Sequence, residues 1–598
     1  MTPPTPVKPD ALRGQSAPSA QAPPSDTPKS HKLKYPAAAW AWYLVGAGLA
    51  VLIGLTPVPL FLSPGDFPDQ ILDDAYMYVR YADHLLDGEG VCWNRGGPPT
   101  FGLTSLGYLA WVTLVRAVTP SDPFRTLVLA GFIPAFFTPV LLLQLAARHV
   151  WPTRTLSWAL AAMWIGVLQG PLTEHLLLTH GFTGMETTFA VFGLALAIFA
   201  LDTLTRKTGW SWAILAALAT PLIFLLRPDL LPFPLAIAGA RALCSSDPGH
   251  RRQGRRELAI AVLMLMLIAA SCWVYFGVPV PLSFFAKSAG VYDDAIRAAY
   301  AGAAKHEFAA FTQRYLVLFV PAGLYALAVL LSSWRRTRPL DLGVVVGVAA
   351  FLMYHLFFVI PIMHYYQRFF MPALPALAWL AFRGVESAAA SIVGGVSAVS
   401  RKRLTAAGII LALAITMRAV LPSEMLARIL PTPLRPDGPG GWDTLNMIAR
   451  LADQGAAARF DVRANYRVKW TQYWFRLDAF SDLPDDLVIA TSEVGHVAAL
   501  NPGKRIVDLS GLNDARLLLH GFDMNAMIER DAPDLIYLPH PDYASLNAAL
   551  RDSEPFRAEY EIFDREHLGD VRFGLALRRS SEYYSRMRAL ITPDASTP

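Results

Sequence analysis

The chain has 598 residues, 54% hydrophobic and 17% charged, with a mean hydropathy of +0.35 and a net charge of +5. Soluble domains carry about 25% charged residues, and this chain repeats apolar runs of about 20 residues, the length that spans a bilayer. The composition excludes an ordinary soluble domain; the modest charge, clustered in short basic loops, excludes a nucleic-acid partner and reads as membrane topology.

Residues 1–36 are rich in Pro, Ser and Ala and read as a disordered cytoplasmic tail. The first apolar span, 38–62, is too long for a signal h-region and lacks a cleavage site, so it is expected to remain as an anchor. An outer loop follows at 63–101. Further candidate spans lie at 102–118, 126–147, 155–172, 185–203, 210–226, 229–243, 257–277, 314–333, 341–361, 369–384 and 403–420. The basic clusters at 29–34, 206–207, 251–256, 335–338 and 401–403 belong on the inner side. That places 173–184, 278–313, 362–368 and the residues after 421 outside. Twelve complete spans would return both termini to one side, so one segment does not cross. The short 102–118, beginning Gly102-Leu103-Thr104-Ser105, is that segment, re-entrant or juxtamembrane. About eleven spans remain within a membrane domain at 37–421.

Beyond 421 the charges rise and the apolar runs shorten to strand length, at 487–490, 505–509, 535–538 and 573–577. Helical patterns at 442–453, 523–530 and 543–551 alternate with them. This is the signature of an α/β domain, here at 422–598 and extracytoplasmic. Three cysteines, Cys92, Cys244 and Cys272, are too few for a disulfide framework, and no CxxC or HExxH metal motif is present.

The segment Asp73-Asp74-Ala75-Tyr76 carries two adjacent carboxylates at a membrane surface, where charge is costly and useful. It opens an amphipathic pattern over 74–87 that suits a helix lying on the membrane. A helix N-terminus accounts for one of the acids but not for both. One carboxylate can serve as general base on an acceptor hydroxyl while the other orients a sugar. The pair leaves room for a divalent cation but does not require one. Which of Asp73 and Asp74 is the base stays open.

Other polar groups interrupt the apolar stretches. Glu186 enters a span and needs a partner or a polar cavity. Arg227-Pro228-Asp229 breaks a helix; it is either a self-neutralising kink or a phosphate site, for which the planar guanidinium is suited. Lys287 in an outer loop and Arg368 in Tyr365-Tyr366-Gln367-Arg368 add two cations on the outer side, each either interfacial or functional. His175 and His180 share that side and read as interfacial. Carboxylates and separated cations around one outer cavity suit an anionic lipid phosphate bearing a polar sugar.

The pattern DDAY-x-x-x-RYA-x-x-L-x-x-GEG-x-x-WN at 73–94, GMET at 184, RPD at 227, YFG-x-P-x-P ahead of Lys287 and YYQRFFMPALP at 365–375 resembles the GT-C glycosyltransferases that use polyprenyl-phosphate sugars. Within them it is most similar to the terminal β-(1→2)-arabinofuranosyltransferases of the mycobacterial cell wall (AftB-like). The runs Glu493-Val494-Gly495 and 507–514 are similar to that group's soluble domain. The resemblance implies a GT-C membrane fold and a catalytic Asp at 73 or 74. It implies a decaprenyl-type phosphate donor, contacted by Glu186, Arg227, Asp229, Lys287, Tyr366 and Arg368. Glu493, Asp508, Asn513 and Asp514 become candidates on the acceptor side. Thr100-Phe101 stands where the family has an acidic residue, and Ile362-Met363-His364 where it has an aspartate-rich segment.

The expectation is a multi-pass glycosyltransferase of the bacterial inner membrane. It would move a sugar, arabinofuranose first, from a polyprenyl phosphate to a cell-envelope glycan on the outer face. The alternatives are transfer of hexose, mannose or aminoarabinose to protein or lipid, and a lipid-linked sugar flippase. Transporters tend to show internal repeats and midplane breaks; no repeat is visible here, and the polar motifs gather on one face.

Overall fold

The computed structural model describes residues 71–119, 123–150, 175–176, 179–288, 300, 302–332, 338–361, 365–394, 474–540, 543–564, 568 and 573–591. The tail at 1–36, the spans at 38–62, 155–172 and 403–420, and the helical pattern at 442–453 lie outside the described residues.

Four described helices are long and apolar enough to cross a membrane: Pro123–Leu142, Thr187–Leu204, Pro248–Phe276 and Pro339–Phe357. The bent pair Ala303–Arg314 and Leu318–Leu331 makes a fifth if it is one span. Of the eleven expected spans, 38–62, 155–172 and 403–420 are not among the described residues, and some of the others are shorter helices. Leu106–Val118, in the segment expected not to cross, has 13 residues, about 20 Å of rise against a hydrocarbon core of about 30 Å. Pro232–Cys244 is equally short, with 13 residues. Leu374–Gly394 is buried over its first half, Leu374 through Phe382, and packs on Leu316–Leu331 and Thr187–Leu204.

The acidic segment forms the helix Asp73–Leu86, with both acids in its first turn, where free amides and the dipole favour negative charge. It is not a helix lying on a membrane surface. Tyr76, Met77, Tyr78, Val79, Arg80, Tyr81 and His84 are all buried, on every side of the helix. The physical reason is a second cover: the C-terminal helix Gly495–Leu500 packs against it. Arg80 is held in that interface by the carbonyls of Trp93 at 2.7 Å and Lys504 at 2.8 Å and by Asn94 Oδ1 at 2.9 Å.

Residues 474–591 contain a five-stranded sheet, ordered β2-β1-β3-β5-β4. The strands are β1 (Val488–Thr491), β2 (Arg505–Asp508), β3 (Leu535–Tyr537), β4 (Tyr560–Phe563) and β5 (Leu575–Arg578). β1 pairs in parallel with β2 and β3, while β5 runs antiparallel to β3 and β4. Four strands and the helices Met524–Asp531 and Ala544–Asp552 lie where the apolar pattern put them. The pattern missed β4 because Tyr560-Glu561-Ile562-Phe563 is an edge strand with only Tyr560 fully buried.

The carboxyl ends of parallel strands commonly carry a sheet's functional loops. Here the loop after β1 receives the Asp73 end of the first described helix, and the loop after β2 reaches the cavity described below. Both contacts are tight enough to demand glycine. A Cβ on Gly495 would lie 1.7 Å from the Asp73 carbonyl oxygen, and one on Gly102 would lie 2.1 Å from Asn513 Oδ1. Ordinary overpacking costs about 1–3 kcal/mol. Gly495→Ala meets rigid backbone and is expected at or above that upper end, read as a lowered unfolding temperature; an unchanged value would refute the contact.

Candidate active site

One cavity gathers six of the eight residues proposed for catalysis and donor binding from the sequence, together with Tyr354, His355, Phe369 and Leu512. The six are Asp74, Glu186, Arg227, Asp229, Lys287 and Arg368. Each arrives on a different piece of local structure. Asp74 comes from the first turn of Asp73–Leu86. Glu186 precedes the helix Thr187–Leu204. Arg227 ends Ala219–Leu226 in an extended conformation forced by Pro228, and Asp229 lies in the short turn that follows. Lys287 sits near the end of Leu282–Ser288.

The three cations are engaged very differently. Arg227 grips Asp229 with two bonds, Nε to Oδ1 at 3.1 Å and Nη2 to Oδ2 at 2.6 Å, and lies 3.9 Å from Glu186. His355 adds a 2.9 Å contact to Asp229 Oδ2. Arg227 and Asp229 neutralise one another, as buried charge requires, with Glu186 and His355 beside them. Arg368 instead makes a loose 3.6 Å approach to Asp74, and its Nη1 is buried without a hydrogen-bond partner. Lys287 lies 5.5 Å over the Phe369 ring. A buried guanidinium on a cavity-lining residue, one of its nitrogens without an acceptor, is an arrangement an anionic ligand can complete.

The two aspartates separate in the same way. Asp73 does not line the cavity. Its carboxylate accepts from the amides of Gly495 at 2.8 Å and His496 at 2.7 Å, and from the His496 ring. Burial pushes Asp73 up, but the His496 ring and the two amides outweigh it and hold the carboxyl below its ordinary value. Asp74 lines the cavity beside Arg368. Burial raises it above the ordinary carboxylate range; Arg368 and Lys287 oppose the rise, and Asp73 and Glu186 add to it. Burial, followed by the Arg368 charge, pulls Lys287 down to about 8 against the attraction of Asp74 and Glu186.

Tyr366 does not line the cavity with its side chain, which is 45% exposed. Its backbone is the unusual part. Tyr366 and Gln367 both adopt left-handed conformations, φ 58° and 57°, which cost non-glycine residues about 1–3 kcal/mol each.

The four acceptor-side candidates also lie outside the cavity wall. Asp508 is buried and accepts from Ser510 N and Oγ and from Asn513 N and Nδ2. Burial nevertheless pushes it up to about 6. Asn513 in turn receives the Tyr81 hydroxyl at 2.9 Å. Asp514 caps the helix Ala515–His520 and pairs with Arg530 at 2.6 Å. Glu493 offers its carbonyl to Thr491. Asp508 and Asn513 thus brace a loop whose Leu512 is the residue that reaches the cavity.

Sequence reasoning passed over His355, Leu512 and the Thr104–Ser283 hydroxyl pair, whose oxygens are 3.1 Å apart in the cavity wall. A lone histidine in an apolar span was a usable signal for His355; nothing local marks Leu512. Among the described residues no group of three or more His, Cys, Asp or Glu side chains could hold a metal ion. All three cysteines are free.

No known protein-family profile matches the chain, and no curated protein does. Among solved structures it is similar to the crystal structure of ArnT from Cupriavidus metallidurans bound to undecaprenyl phosphate. The identity is 12% and the TM-score 0.47, over 90% of this chain and 98% of that one. A likeness that weak assigns neither a family nor a reaction, and the residues of the cavity must carry the functional argument.

Proposed function

We propose that this protein is a membrane glycosyltransferase that takes its sugar from a polyprenyl phosphate. The observation that carries the reading is Asp74 beside Arg368 and Lys287 in one cavity, with an Arg368 nitrogen left unbonded. The phosphate sits against Arg368 and Lys287, and the sugar lies between it and Asp74. Asp74 takes the proton from the acceptor hydroxyl as that oxygen bonds to the anomeric carbon. The bond from that carbon to the phosphate oxygen breaks, and the polyprenyl phosphate leaves with its charge held by the two cations. A carboxyl raised by burial is a stronger base than one in water, which is the direction this step needs. Arg227, Asp229, Glu186 and His355 also line the cavity. Arabinofuranose is the sugar of choice and a cell-envelope glycan the acceptor, on the strength of the motif resemblance, with the site on the outer face of a bacterial inner membrane.

Transfer by purified protein in lipid nanodiscs tests the reading, from synthetic polyprenyl-phosphate donors beginning with arabinofuranose. Turnover from any donor of this class supports it. No turnover from arabinofuranosyl, hexosyl or aminoarabinosyl donors, with transbilayer movement of the lipid-linked sugar instead, would overturn it in favour of a flippase.

The pH profile should be bell-shaped. Asp74 must be deprotonated, so the rate climbs as pH rises through its raised pKa. Lys287 must be protonated, so the rate falls as pH passes about 8. Lys287→Arg, which stays charged, should remove the alkaline fall; a fall that persists unchanged in that variant would disprove the assignment.

A further inference from the structure

Arg368 follows a turn that its own backbone resists. Tyr366 and Gln367 are both left-handed and neither is glycine, so contacts from outside the turn must hold it. Two histidines do so. His175 Nε2 lies 2.8 Å and His180 Nε2 2.9 Å from the same atom, the Tyr366 carbonyl oxygen. A carbonyl oxygen only accepts and has two lone pairs, so both Nε2 atoms carry hydrogen and both lone pairs are filled.

The tautomers follow. In a neutral ring with hydrogen on Nε2, Nδ1 is the bare acceptor. His175 Nδ1 takes the Tyr315 hydroxyl at 2.9 Å. His180 Nδ1 is buried with no hydrogen-bond partner, a cost the turn carries while Nε2 donates. Burial pulls His175 down to about 2, with His180 and Arg314 acting in the same direction, and burial pulls His180 down to about 3, with Arg368 and Arg314 adding to it; the bond to the Tyr366 carbonyl opposes the shift in both. Both rings therefore stay neutral at physiological pH, and neither adds a repelling charge near Arg368. The next amide, Gln367 N, is tied separately to Glu307 Oε2 at 3.1 Å.

We propose that His175 and His180 are positioning residues: together they grip the Tyr366 carbonyl and fix the left-handed turn that presents Arg368 to the donor phosphate. The inference rests on the reading of Arg368 as a phosphate ligand. It gives a role in the site to two histidines that sequence alone leaves as interfacial. They act through the backbone and touch no reacting atom.

The test compares binding of a polyprenyl phosphate with binding of the neutral polyprenol of the same length, in nanodiscs. His180→Phe keeps a buried ring and removes the donor. His180→Gln offers an amide N–H near the Nε2 position. His180→Phe should weaken polyprenyl-phosphate binding about tenfold, leave polyprenol binding unchanged, and be largely rescued by His180→Gln. In an Arg368→Gln background, His180→Phe should add no further loss. Equal losses for phosphate and polyprenol, no rescue by Gln, or additive losses would each overturn the clamp. If Arg368→Gln weakens phosphate binding and His180→Phe does not, the clamp alone is wrong. If Arg368→Gln itself changes nothing, the reading of Arg368 falls, and the clamp with it. Should His180→Phe not accumulate as folded protein, His175→Phe removes the other donor and carries the same expectation.

Discussion

Asp74→Asn should lower sugar transfer by about 10²–10⁴-fold, the usual range for losing a general base, while the protein keeps its fold and binds donor. Asn preserves the shape of the side chain and removes only its ability to take a proton. The neighbouring acid should behave in the opposite way. Asp73 accepts charge-assisted bonds from two amides and the His496 ring at the junction with Gly495–Leu500. Each such bond contributes about 1.5–3 kcal/mol. Asp73→Asn is therefore expected to lower the unfolding temperature and leave the chemical step largely intact in the folded fraction. The measurements are kcat and unfolding temperature for both variants in the same nanodiscs. If the chemistry disappears with Asp73 and survives without Asp74, the assignment of the base is reversed.

The second large contrast lies between two arginines that look alike in the sequence. Arg227 closes a buried group with Asp229, Glu186 and His355. Removing one partner from such a group leaves uncompensated charge and costs about 3–5 kcal/mol. Arg227→Gln is expected to fail in folding or to accumulate poorly. Arg368→Gln breaks a 3.6 Å approach to Asp74 and a contact 5.3 Å over the Phe369 ring, neither of them a close ion pair, so the protein should fold. Its kcat/KM should drop about 10²–10³-fold, the loss seen when one preorganised donor to developing negative charge is removed. Yield and unfolding temperature read the first variant, and steady-state kinetics the second. A stable, inactive Arg227→Gln beside a fully active Arg368→Gln would exchange their roles.

These contrasts show where the sequence is informative. A charged residue inside an apolar chain is costly unless it is paired or faces a polar space. That rule alone brings Asp74, Glu186, Arg227, Asp229, Lys287 and Arg368 to notice, and the cavity contains all six. The rule fails at Tyr366, whose importance lies in its carbonyl and its φ rather than in its side chain. It fails again at Asp508, Asn513 and Asp514. The resemblance made them candidates, yet Asp508 bonds Ser510 and Asn513, Asn513 also bonds Tyr81, and Asp514 caps a helix and pairs with Arg530. The helix Asp73–Leu86 shows the same limit. Its apolar pattern fits a membrane surface as well as it fits a protein cover, because both supply an apolar partner.

Composition and spacing alone identify which residues must find partners or a cavity, because the cost of burying charge in an apolar chain depends on nothing else. They also identify most of the C-terminal strands, whose apolar runs are local. Which charges pair with one another and which line the cavity is settled by the fold. Asp73 finds its amide partner 422 residues away, while Asp74, one position along the same helical turn, is rotated toward Arg368. A helix turns about 100° per residue, so adjacent identical side chains enter different surroundings, and those surroundings are assembled from segments that no local pattern connects.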